Sequence, residues 1–188
     1  MPANAYAFRT TWQVPGTPDE VTAVLADAPE LARWWPSVYL EVRQVTAGDE
    51  RGIGKVVELY TKGFLPYTLR WRFEVTESDP PHGFRLEARG DFVGVGIWTL
   101  TPRRPPDDPA GPLTEVVYDW TVIAEKGVLK RFSRFIKPVF SANHHWAMRR
   151  GEESLRLELA RRRTADPVVL AAIPAPPGPT FPHNLRWR

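Results

Sequence analysis

The stretch that most limits the fold spans residues 127–163, GVLKRFSRFIKPVFSANHHWAMRRGEESLRLELARRR. Its periodicity predicts one long C-terminal helix. Val128, Leu129, Phe132, Phe135, Ile136, Val139 and Phe140 recur at i, i+4, i+7 and i+8 and build an apolar stripe. Beyond Pro138 the stripe drifts, and His144, Ala147, Met148, Gly151 and Leu155 share a face with Phe140. A proline inside a helix removes one backbone bond and kinks it, so a rotated face on its far side is expected. A rod this long with one apolar side needs a large surface to cover it. The segments upstream read as a curved antiparallel sheet that supplies one.

A chain of 188 residues, 43% of them apolar, fits one domain of ordinary size plus a tail. No apolar run approaches the length of a membrane span, so no stable membrane insertion is expected. The opening MPANAYAFRT lacks a basic segment followed by an apolar one, so no signal peptide is expected. There is no cysteine. That excludes disulfides, thiol catalysis and cysteine-ligated metal, and it fits a cytoplasmic location. The net charge of +3 is unevenly placed: residues 126–163 hold eleven Lys/Arg against three Glu, or +8, which leaves −5 elsewhere. Such a basic face suits phosphate or anionic lipid; its plainer reading is a solvated surface with arginines complementing the helix C-terminus. No nucleic-acid partner is expected.

Residues 7–14 (AFRTTWQV) read as a first strand, broken by Pro15-Gly16. Thr17-Pro18-Asp19-Glu20 is a helix start: threonine caps, proline sits first inside, and glutamate closes a capping box. A second short helix covers 30–34. Strands then follow over 38–46, 55–61, 67–77, 84–89, 92–101 and 114–124. The third of these alternates cleanly, with Leu69, Trp71, Phe73 and Val75 on one side and Arg70, Arg72, Glu74 and Thr76 on the other. That is a sheet buried on one face and wet on the other. The proline-rich residues 102–112 read as a surface loop. Strands without intervening helices argue for α+β with an antiparallel sheet, the long helix lying across its concave face. Residues 1–163 form the expected domain. Residues 164–188 carry six prolines and form a tail with little regular structure, anchored by Phe181, Leu185 or Trp187.

This element order, the segment Pro29-Glu30-Leu31-Ala32-Arg33-Trp34-Trp35-Pro36 and the closing helix resemble the START-like polyketide cyclase/dehydrase and lipid-transport proteins (SRPBCC, Bet v 1-like). The likeness is greatest to the bacterial branch, through Leu65-Pro66-Tyr67, Gly90-Asp91, Gly96-x-Trp98 and Asn143-His144 with Met148, Gly151 and Leu155. It covers residues 7–163. The resemblance implies a helix-grip fold, a seven-stranded curved antiparallel sheet around a long helix, with a cavity for an apolar ligand. It does not imply one reaction, because such families include cyclases, dehydrating enzymes, lipid carriers and plain binding proteins. The proline-rich tail stands outside the pattern.

Pockets of this kind are mostly apolar, with a few placed polar groups. The candidate ligand-binding residues are Trp71, Phe73, Phe84, Phe92, Trp98, Tyr118 and Trp120 from the sheet, with Phe140, Asn143 and His144 from the helix. Any one of these aromatics also serves as plain core. Gly94 and Gly96 lie on the side of Phe92 and Trp98, where they leave room for a ligand or ease a strand bend. Eight tryptophans suit a wide cavity for a flat or greasy molecule.

Asn143 and His144 fall where the two helix faces meet and are the candidate catalytic pair. Both suit hydrogen bonding to a ligand oxygen, and an imidazole with an ordinary pKa near 6.5 suits acid–base work. The alternative is that both satisfy neighbouring groups in the core. Spacing reveals no acid–base partner for His144. His145 lies about 100° further round the helix and faces solvent. With His82 in a turn and His183 in the tail, no metal is expected, and no cofactor. Asp119 should be exposed or paired with Arg70 or Arg72, and Arg150 should form a surface pair with Glu152 or Glu153. Gly52-Ile53-Gly54-Lys55 lacks Walker spacing, and there is no Gly-x-Ser-x-Gly elbow.

Three functions remain open. The first is binding or transport of a hydrophobic or aromatic small molecule by a monomer or homodimer. The second is a cofactor-free cyclase/aromatase or dehydratase-like enzyme using the same cavity. The third is a protein- or membrane-interaction module using the basic helix face and the tail.

Overall fold

The computed structural model describes residues 4–125 and 133–181, with side chains from 138 onward in the second stretch. Strand β1 (Ala5–Pro15) is followed by helix α1 (Pro18–Leu25), a single 3-10 turn (Ala28–Glu30) and the short α2 (Leu31–Trp34). Six strands come next: β2 (Tyr39–Thr46), β3 (Val56–Lys62), β4 (Thr68–Asp79), β5 (Gly83–Gly90), β6 (Phe92–Arg104) and β7 (Leu113–Ala124). The long helix α3 spans Ser133–Arg162, and a further helix, α4, spans Pro167–Ala172. All seven strands join one antiparallel sheet in the order β1-β7-β6-β5-β4-β3-β2. The expected helix-grip architecture is present.

The local signals act as their chemistry requires. Thr17 Oγ1 accepts the Glu20 amide at 3.3 Å, and the Glu20 carboxylate accepts the Thr17 amide at 2.8 Å, which closes the capping box at α1. In β4, Leu69, Phe73 and Val75 are buried while Arg70, Arg72 and Glu74 are exposed. In β7, Val116, Tyr118, Trp120 and Val122 turn inward. On α3 the buried face runs through Phe140, Asn143, Met148, Gly151, Leu155, Glu158 and Leu159, spacings that keep one side against the sheet.

Several expectations need correction. Strand β6 continues through Pro102 to Arg104, so the loop begins at 105. Strand β5 pairs with β6 only as far as Thr99, and a proline beyond that point costs no ladder bond on the open side. Val139 is 43% exposed and does not belong to the inward stripe, because Phe140, the next residue round, takes the sheet-facing position. The parts of that stripe at 128–136 lie outside the described side chains, as does the helix start at 127–132. Asp119 pairs across the sheet with Arg9 at 3.7 Å rather than with Arg70 or Arg72, because the register sets Arg9 directly opposite. Among the described residues the tail forms a helix, α4, where Asp166 accepts the Val168 amide at 2.8 Å and Pro167 fills the first turn.

Charge also behaves differently from its count. The described basic residues of α3 are mostly engaged within the molecule. Arg150 pairs with Glu153, Arg156 with Glu152 and Arg162 with Asp27, Arg161 donates to the Pro174 carbonyl, and Arg163, just past the helix end, pairs with Glu20. Glu158 is almost fully buried at 1% exposure. Both of its oxygens are gripped by Arg33, at 2.9 and 2.6 Å, and Arg162 Nε donates at 2.8 Å. Burial pushes its pKa upward, but the hydrogen bonds from Arg33 and Arg162 outweigh this and leave it below the usual carboxylate value. This knot ties the end of α3 to α2.

Candidate functional site

The concave face of the sheet and α3 enclose a void in two lobes that share Trp35, Tyr39, Trp71, Tyr118 and Met148. The larger lobe, about 100 Å³, also meets Val38, Thr61, Lys62, Gly63, Leu69, Phe92, Trp120, Phe140, Asn143, His144 and Ala147. The smaller, about 70 Å³, reaches Leu25, Leu31, Phe73, Phe84, Leu86 and Trp98. Every wall residue named from the sequence therefore touches one lobe or the other. A larger concavity of about 440 Å³ lies on the outer face of β2–β5, but its walls are charged and open to water. There Arg43 pairs with Glu58, and the Arg70 guanidinium sits 4.3 Å over the Tyr60 ring.

The inner void is narrower than eight tryptophans suggest, because the rings spend their volume on one another. Trp98 stacks on Tyr118 with centroids 4.1 Å apart, and Tyr118 stacks on Trp120 at 5.8 Å. Trp12 meets Trp98 at 5.5 Å and Trp35 at 5.9 Å. The glycines leave no ligand space either. A Cβ on Gly96 would lie 2.6 Å from the Tyr118 hydroxyl, and one on Gly94 would lie 2.1 Å from the Thr121 carbonyl oxygen. Both positions are glycine because β7 approaches too closely for a side chain. Drug-sized ligands occupy roughly 300–1,000 Å³, whereas an apolar hole of about 150 Å³ admits benzene. Neither lobe alone reaches that size and the two together only slightly exceed it, so the resting space suits a single ring, and a fused pair needs the walls to yield.

Polar groups are few. Asn143 is buried, and its Oδ1 accepts the Phe64 amide at 2.9 Å, so its carboxamide oxygen latches the β3–β4 connection onto α3. That is the structural alternative raised for it above. His144 stacks its ring on Phe8, 4.0 Å between centroids and 15° from parallel. Its Nε2 is shielded from solvent with no hydrogen-bond partner among the described residues. Burial, and then the charge of neighbouring His145, lower its pKa to about 4, so the imidazole is neutral at pH 7. A neutral ring nitrogen without a bond, set against an apolar void, is equipped to meet a ligand O–H or carbonyl. His145 is exposed, with Nδ1 2.7 Å from the Ser141 carbonyl oxygen. Among the described residues no three His, Asp or Glu side chains gather as a metal site would require.

Sequence reasoning missed Lys62, Trp35 and Tyr39. Lys62 is 2% exposed and lines the larger lobe. Its Nζ donates to the Phe181 carbonyl at 3.2 Å and lies 5.4 Å from the centre of the Phe181 ring. Burial lowers its pKa. Thr61 and Lys62 are both buried, which breaks the alternation of β3 at its last step, and a lysine beside a glycine otherwise reads as a wet strand end. Thr61 Oγ1 accepts the Trp71 indole N–H at 3.0 Å and fixes that ring in the wall. Trp35 belongs to the Trp34-Trp35 pair, whose inward turn depends on α2 and is not periodic.

A curved seven-stranded antiparallel sheet gripping a long helix across an internal void defines a helix-grip protein. Solved structures with this arrangement include the Zhui aromatase/cyclase from Streptomyces sp. R1128, at TM-score 0.62 and 18% identity over 86% of this chain and 97% of that one. TTHA0849 from Thermus thermophilus matches at TM-score 0.62 and 21% identity, over 89% of this chain and 99% of that one. Norcoclaurine synthase from Thalictrum flavum, in complex with dopamine and hydroxybenzaldehyde, matches at TM-score 0.56 and 12% identity, over 86% and 90%. No curated protein matches the sequence. The model of the family described as polyketide cyclase / dehydrase and lipid transport matches residues 6–159, and the chain belongs to that family. Among the described residues no helix is long and apolar enough to cross a membrane.

Proposed function

We propose that this protein binds a small aromatic molecule, one ring or a compact pair, in the two-lobed void between sheet and α3. The observation that carries this reading is the meeting of an aromatic-walled void with the buried, unpartnered His144 Nε2. An apolar hole alone is a packing defect, and an unmet polar atom costs about 1–3 kcal/mol. A ligand that fills the hole and bonds the nitrogen relieves both. The wall rings supply stacking, and His144 selects for an oxygen at the matching edge. Calorimetry against phenol, 1-naphthol, 2-naphthol and naphthalene tests this. Oxygenated rings should bind more tightly than naphthalene, and His144→Phe should erase that preference. Absence of binding across the whole set would remove the reading.

A cyclase- or dehydratase-like activity is the second reading. The support for it is that neutral His144 and Lys62 line the same lobe, a proton acceptor and a cationic residue on one cavity wall. Turnover of a cavity-bound substrate that falls with His144→Phe, at unchanged binding of a non-reactive analogue, would favour it.

A further inference from the structure

The outer face of the sheet carries charge in rows of like sign. Arg72 on β4 stands directly opposite Arg89 on β5, and Glu74 stands directly opposite Glu87. Like charges set opposite each other in a sheet repel. Glu58 on β3 also stands opposite Arg72, but Arg43 holds it at 2.5 Å. Among the described residues, the side chains of Arg72, Glu74, Glu87 and Arg89 enter no ion pair and no hydrogen bond.

An apolar stripe runs beside these rows. On β6, Val95 stands opposite Glu87 and Ile97 opposite Arg85. Val93 shares their face and is exposed, as is Ile97, and Ile123 on β7 stands opposite Val93. Single exposed aliphatic residues are ordinary, but a contiguous set beside unpaired charge marks an interaction surface.

The charge pattern says what covers it. The two rows lie two residues apart along the strands, about 6.8 Å. A two-fold axis in the plane of the sheet, crossing the strands midway between the rows, exchanges one row for the other. It sets Arg72 against Glu74 of a second copy, and Arg89 against Glu87 of that copy. Each contact then occurs twice, as a self-complementary interface requires. The same operation lays Val93 against Val95 of the second copy. Sheets packed face to face lie about 10 Å apart, within the joint reach of arginine and glutamate.

We propose that the outer face of β4–β6 is a homodimer interface, with the arginine row of each copy on the glutamate row of the other. The valines supply buried apolar area, and the charges fix the register. The cavity lies on the opposite face of the sheet, so ligand and second copy do not compete.

Sedimentation velocity on a dilution series of the full chain tests this. The sedimentation coefficient should fall toward the monomer value on dilution. Arg72→Glu with Arg89→Glu makes all four positions acidic, and Glu74→Arg with Glu87→Arg makes them all basic. Each double variant alone should lose the dimer, and an equimolar mixture of the two should restore it. These side chains carry no bond within the chain, so both variants should fold, which their thermal midpoints check. A wild-type chain that is monomeric at every concentration overturns the proposal. A dimer that survives in either variant alone places the contact elsewhere and overturns it too. A mixture that stays monomeric overturns the pairing of the rows.

Discussion

Gly63 at the end of β3 and Asn143 on α3 meet so closely that a Cβ on the glycine would lie 2.0 Å from the asparagine Oδ1. The same oxygen accepts the Phe64 amide at 2.9 Å. Contact and bond are parts of one joint, which holds the cavity rim against the helix.

Gly63→Ala should therefore destabilise by about 1–3 kcal/mol, the usual cost of overpacking. Asn143→Ala should cost a similar amount, since it strands a sheltered amide. In combination the two should cost much less than their sum, because removing the carboxamide makes room for the methyl. Urea denaturation of the four chains measures the coupling. Additive losses would contradict the joint.

Acid should loosen the anchoring of α3 in a defined window. A hydrogen bond from Arg163 is the main cause holding the Glu20 carboxyl at about 2, against an ordinary 4.5. A carboxyl depressed in the folded state contributes stability that is complete above its unfolded pKa and is lost as pH falls through the folded one. The contribution of Glu20 should fade between about 4.5 and 2, with Glu158 adding in the same direction. Glu20→Gln should flatten the pH dependence of the unfolding midpoint there. An unchanged slope would count against the pairing.

His144 acts in a separate window. Its folded pKa of about 4 lies below the ordinary 6.5, so the unfolded chain takes up the proton first. Stability should be complete above pH 6.5 and decline toward pH 4, by at most about 1.4 kcal/mol per unit. His144→Phe should remove that slope. An NMR titration with an imidazole midpoint near the ordinary value would refute the burial argument.

Gly151 offers a test of the cavity wall. A Cβ there would lie 2.2 Å from the Trp35 ring, which borders both lobes. Gly151→Ala should cost about 1–3 kcal/mol and weaken 2-naphthol binding by displacing Trp35. Unaltered binding, measured by calorimetry, would show that Trp35 is not part of the site.

Most of the frame was legible because it rests on local rules. The capping box at Thr17, the alternation of β4 and the inward aromatics of β7 are each set by a few adjacent residues. What stayed hidden depends on distant partners. Glu158 shares the helical face of Gly151 and Leu155, a signal open to inspection. Its meaning depends on Arg33, 125 residues away in the chain. Lys62 stayed hidden for a similar reason, since its shelter includes a contact with Phe181. Cavity size was overestimated because an aromatic side chain looks the same in a sequence whether it walls a space or fills it.

Among the described residues, the charged grips on α3 cluster toward its end, at Glu152, Arg156, Glu158, Arg162 and Arg163. A beam held at these points resists deflection along this stretch. Binding a guest larger than the resting hollow should therefore change amide exchange around 138–148 and leave 152–162 still. Residues 152–162 are then the fixed part of the grip, and the guest meets the helix at Asn143 and His144, just ahead of them.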